Sequence, residues 1–187
     1  MGSQIGLNNA VLAIGTAVSL LIASPAQTFG LDKATAAKQE NATQSVGGWR
    51  LVHAENPQGG KASFAITRSA DISKSDTDLA GLMIRCGSDR YEVLVVLLVS
   101  FSPRTRPLVN IAVGGKELSL EATVVTPFTA LLLPHQAREL IDEAALAQER
   151  ELSVDVGGAQ NTVHGAIPLD RLSAGLDLLN ASCLSAQ

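Results

Sequence analysis

The sequence predicts an antiparallel β-sandwich of about nine strands carrying two added helices, one of them C-terminal. Three observations lead there. Leu79 to Phe101 reads as two strands around the polar turn Gly87-Ser88-Asp89-Arg90: Leu82, Ile84 and Cys86 alternate on one face of the first, and the second is the unbroken Val and Leu run from Val93 to Val99. That run is rich in β-branched residues, too short for a helix and too apolar for an exposed edge, which marks it as the central strand of the core. Elsewhere, alternating segments follow one another through tight turns with glycine doublets, the signature of consecutive hairpins rather than of strands separated by helices. Only two segments show the 3.6-residue period of an amphipathic helix. At 187 residues and 46% hydrophobic content, one core and one domain suffice.

From the N-terminus, the apolar run Ala10 to Ala23 is followed by Ser24-Pro25-Ala26, small residues suited to a signal-peptidase site before Gln27. The run is shorter than the roughly 20 helical residues that a bilayer span requires. A signal peptide over residues 1–26 is expected, although its leading segment MGSQIGLNN contains no Lys or Arg. Membrane contact is expected only through this segment, if it stays uncleaved. Residues 27–47 are Ala-, Thr-, Gln- and Lys-rich with almost no large apolar side chain, and read as a disordered linker. A single β-rich domain then covers 48–187.

Within it, Trp49 to Ala54 forms a strand with Trp49, Leu51 and His53 on one face, and Asn56-Pro57-Gln58-Gly59-Gly60 turns it into a partner, Lys61 to Arg68, with Phe64 and Ile66 inward. Ser69 to Asp78 is a polar loop leading to the central pair. Pro103 and Pro107 end the core strand. Leu108 to Val113 and Lys116 to Val125 flank the hairpin turn Gly114-Gly115, and Leu118, Leu120, Ala122 and Val124 point one way along the second arm, read as one strand. Thr129 to Leu133 is a short strand. Pro134 suits the start of a helix whose stripe is Ala137, Leu140, Ile141, Ala144 and Ala145. Leu152, Val154 and Val156 alternate along the next strand, Gly157-Gly158 turns it, and Thr162 to Pro168 returns. Asp170 is placed to cap a final helix with Leu172, Leu176, Leu179 and Cys183 on one face.

A formal charge of -4, from 14 basic and 18 acidic residues scattered along the chain, leaves no basic stripe for nucleic acid, and 3% aromatics offer no stacking platform. The three histidines, His53, His135 and His164, have no ligand-spaced neighbours, so neither a metal site nor any other cofactor is expected. No GxSxG, HExxH or phosphate-cradling loop occurs. Asp71, Asp76 and Asp78 form an acidic cluster best read as a solvated loop. A nucleophilic triad of Cys86, a histidine and Asp155 would need a free thiol. An even count of two cysteines in an exported chain instead favours a Cys86–Cys183 disulfide, the terminal helix and the central strand both presenting their cysteine to the core. No catalytic residues are therefore assigned. Arg85, Arg90, Arg104 and Arg106 lie near the ends of the central pair, the last two in the Pro-flanked segment Pro103 to Pro107. They are the candidate contacts for a protein partner, since rigid loops displaying arginine pair well with carboxylates.

Trp49, the triplet Ile84-Arg85-Cys86, the element His164-Gly165-Ala166-Ile167-Pro168-Leu169 and the final helix with Cys183 together resemble two groups of small exported bacterial proteins. These are the invasion-associated locus B family and the periplasmic proteins associated with type VI secretion. The likeness spans most of Trp49 to Cys183, and the invasion-associated pattern carries additional cysteines that this chain lacks. It implies a periplasmic or secreted, non-enzymatic envelope protein that contacts another envelope or secreted protein, with an assembly- or virulence-associated role. Neither group supplies catalytic residues. The alternative is a hydrolase or small-ligand-binding protein of unrecognised type, expected to show a deep pocket with converging polar groups.

Overall fold

The structure, a computed structural model, describes residues 44–54, 63–126, 129–157 and 162–185. The expected signal peptide, most of the linker and the turn Asn56 to Gly60 lie outside these. In chain order the elements are β1 (Ser45–Val46), β2 (Trp49–Ala54), β3 (Ser63–Ser69), β4 (Leu79–Gly87), β5 (Arg90–Leu97), β6 (Leu108–Val113), β7 (Lys116–Glu121), β8 (Thr123–Val125), β9 (Ala130–Leu132), α1 (His135–Ala147), β10 (Glu151–Gly157), β11 (Thr162–Pro168) and α2 (Leu172–Ser185). Two antiparallel sheets result: a seven-stranded sheet in the order β1-β2-β3-β4-β5-β9-β8 and a four-stranded sheet in the order β11-β10-β6-β7. The mainly β, sandwich-like fold with a C-terminal helix is the one expected.

Alternation sets the register. Leu51, Ile66, Ile84 and Val93 are successive cross-strand partners, as are Leu82, Val95 and Leu131, so one face of the large sheet is apolar from β2 to β9. Val109, Ile111, Val154 and Val156 form the matching face of the small sheet, and these residues share one buried cluster with the stripes of both helices. Helix α1 buries Ala137, Leu140, Ile141 and Ala144. Helix α2 buries Leu172, Gly175, Leu176 and Leu179 and packs on β2 and β3. Gly175 permits that approach, because a Cβ there would stand 3.0 Å from Trp49 Cγ.

Four local expectations are corrected. Ser45 and Val46, expected in the linker, form a strand that pairs with Arg50 and Trp49. The core strand stops at Leu97: Leu98 is 69% exposed, and its N–H donates to the Asp78 carbonyl at 2.8 Å. The arm Lys116 to Val125 is two strands in different sheets. Leu120, Ala122 and Val124 are all buried, so the alternation runs unbroken through the corner. The last rung on β6's side is Ala122 N–H to the Pro107 carbonyl (2.9 Å), and beyond it the Pro-flanked segment offers no strand, so the chain crosses to pair with β9. Finally, Asp170 does not cap α2. Arg171, left-handed at φ 59°, directly precedes the helix, while the Asp170 carbonyl accepts the Trp49 indole N–H at 3.1 Å.

Candidate functional site

The two cysteines meet. Cys86 and Cys183 are bonded, with Cα atoms 5.8 Å apart, pinning the C-terminal end of α2 to β4. The other end of α2 is held by a contact that sequence reading missed. Arg68, its side chain only 16% exposed, donates to the Gly47 carbonyl at 2.5 Å and lies 3.5 Å from the Asp170 carboxylate, linking the β1–β2 turn to the approach to α2. No sequence pattern marks such a residue, because its partners are distant in the chain.

The four candidate arginines differ in their partners. Arg85 pairs with Glu92 across β4 and β5 at 2.7 Å. Arg90, at φ 89° in the hairpin, binds Asp142 of α1 at 2.6 Å and lies 4.9 Å over the Tyr91 ring. The Tyr91 hydroxyl donates to the same carboxylate at 2.6 Å, so Asp142 fastens α1 to the hairpin. Burial, and then the adjacent Asp142, push the Tyr91 phenol far above its usual pKa. Arg85 and Arg90 thus have structural partners. Arg104 and Arg106 are exposed, in the loop after β5. Arg106 donates to Thr123 Oγ1 at 3.1 Å, which places it against β8.

The two edges of the small sheet are treated differently. The β11 edge is closed by the polar loop before β4: Asp71 N–H donates to the Ala166 carbonyl (2.8 Å), Asp76 N–H to the His164 carbonyl (2.9 Å), His164 N–H to Asp76 Oδ2 (2.8 Å) and Ala166 N–H to Ser75 Oγ (3.0 Å). The acidic cluster is therefore an edge cover. Asp71 turns the loop by accepting from the Ser73 hydroxyl and N–H, which lowers its pKa. The β7 edge has no such cover among the described residues. Because Gly114-Gly115 is a two-residue turn with φ of 57° and 79°, Val113 and Lys116 form a mutually bonded pair, and the N–H and C=O groups of Glu117, Ser119 and Glu121 point away from β6.

On the solvent face of the small sheet, His164, Asp155, Asn110 and Ser119 lie in one row across the strands. His164 Nδ1 is 2.6 Å from Asp155 Oδ1, and both side chains are about half exposed. An acid-base couple in open water lacks the preorganised, low-dielectric surroundings that give such pairs catalytic power. Beside it, Ala112 floors a depression of about 440 Å³ rimmed by Glu117, Ser119, Ser153 and Asp155. A more apolar cleft of about 490 Å³ lies between α1 and the β6–β7 turn, next to the 86% exposed Leu146. On the large sheet's other face, Leu94 is buried outside the main core, beside its cross-strand neighbours Met83 and Leu132. No described helix is long and apolar enough to cross a membrane. No protein-family model, curated protein or solved structure matches the chain, so its functional reading rests on the surfaces above.

Proposed function

We propose that this is an exported, disulfide-stapled envelope protein that acts by binding another protein and performs no chemistry of its own. The observation that carries the reading is the unequal treatment of the sheet edges. The loop from Asp71 to Asp76 closes β11, whereas the stretch Lys116 to Val125 leaves an edge free in both sheets, β7 in one and β8 in the other, among the described residues. An open edge is a template for strand addition, and a chain that covers one edge and exposes another has a surface suited to a partner. Arg104 and Arg106 stand at the β8 end of this stretch, on the side of the strand where Pro107 meets Ala122. The disulfide supports a periplasmic or secreted location, as does the resemblance to exported bacterial proteins. The alternative of a hydrolase finds its best support in the His164 and Asp155 pair.

Exposed charges steer association more than they set final affinity. Arg104→Glu with Arg106→Glu should leave thermal unfolding unchanged, slow association with partners drawn from periplasmic extract, and alter its salt dependence. Identical association rates for the wild type and the double variant would remove these arginines from the binding surface.

A further inference from the structure

We infer that the β7 edge accepts an extended protein segment with basic residues four positions apart and apolar residues between them; this rests on the protein-binding reading above and names the partner's chemistry. The backbone groups that point outward belong to Glu117, Ser119 and Glu121, and the side chains of these same residues are exposed. Leu118 is half-buried and Leu120 buried, facing the core. A strand added antiparallel to β7 therefore sets its alternate residues against two different environments. Those opposite Glu117 and Glu121 meet carboxylates that have no ion-pair partner among the described residues, whereas Lys116 is already paired with Glu143. Those opposite Leu118 and Leu120 extend the apolar core. The depression between Glu117 and Asp155 gives a long cationic side chain room to lie across the sheet face.

Charge also decides against a second copy of this chain as the occupant. Antiparallel pairing of β7 with its own copy about Ser119 would place Glu117 opposite Glu121 twice, and like charges directly opposed on a sheet are destabilising. A basic segment turns both contacts favourable.

The probe is a fluorescent synthetic peptide with lysine at its first and fifth positions around a valine-serine-valine centre, titrated into the mature, disulfide-bonded protein and followed by anisotropy. The expected result is saturable binding that weakens with salt and falls about tenfold for Glu117→Gln with Glu121→Gln, the size of two cross-strand ion pairs. A peptide with glutamate in place of lysine should bind far more weakly. Ser119→Pro removes the outward N–H while sparing the β6 ladder and should abolish binding. A backbone N-methylated lysine peptide on the wild-type protein should fail in the same way, with no risk to folding. Equal binding of lysine and glutamate peptides, or no binding of either, overturns the inference and leaves the two glutamates as guards against edge-to-edge aggregation. If the lysine peptide fails while association with periplasmic partners persists and responds to the Arg104 and Arg106 reversals, only the partner's chemistry falls. If neither measurement shows association, the protein-binding reading falls with it.

Discussion

Tyr91 shows how one side chain ties a strand to a helix. It is the only tyrosine in the chain, it is 2% exposed, and its hydroxyl bonds Asp142 while its ring lies under Arg90. Its folded-state pKa is raised, chiefly by burial and then by Asp142, above that of an unfolded tyrosine, about 10. The folded protein thus holds this proton more tightly than the unfolded chain. The contribution is fully present below pH of about 10 and declines as pH rises above it, where only the unfolded chain ionises. Tyr91→Phe should cost about 1.5–3 kcal/mol at neutral pH, as loss of one hydrogen bond to a charged group does, and should flatten the alkaline decline. Urea denaturation from about pH 8 to 11 measures both effects; an unchanged slope would place the phenol outside the linkage.

At the scale of elements, the loop before β4 and the edge of β11 depend on each other. The Ser75 and Asp76 side chains take the outward N–H groups of Ala166 and His164, which would otherwise face solvent or another chain. Ser75→Ala with Asp76→Ala should lower stability by about 1–3 kcal/mol. It should also speed hydrogen exchange of the His164 and Ala166 amides while sparing Val163 and Ile167, whose amides face β10. Exchange resolved by residue checks the distinction, since general destabilisation would speed all four together. The loop's polar composition was plain in the sequence, but the same residues suit a solvated loop or an edge cover. Only the distant strand that they meet tells these apart.

For the molecule as a whole, the disulfide is the longest covalent constraint, joining residues separated by 97 positions. Closing a loop of that size restricts the unfolded chain by about 4–5 kcal/mol in the chain-entropy view. Cys86→Ser should lower stability by about 2–5 kcal/mol, and non-reducing peptide mapping of the wild type should recover the linked pair. The loss is expected to fall hardest on α2, whose N-terminal side would keep Arg68 and the Trp49 indole as its ties while its C-terminal end lost its only covalent one.

Strand and helix identities came from local information, because period-two and period-3.6 alternation are written over a few neighbouring residues. The buried faces of β10 (Leu152, Val154, Val156) and of both helices follow that pattern directly. The disulfide was legible for a different reason: with two cysteines there is one possible intramolecular pairing. Strand order, the corner at Ala122 and the grip of Arg68 on Asp170 were decided only by the tertiary structure, since each depends on what lies opposite across the sheet or far along the chain. The candidate site belongs to this second class. An open edge is defined by the partner a strand lacks, and Lys116 to Glu121 reads the same in sequence whether a neighbour covers it or not. The four arginines were equally opaque. Their spacing placed them near one strand pair, but only the tertiary structure shows that Arg85 and Arg90 pair with Glu92 and Asp142 while Arg104 and Arg106 are exposed.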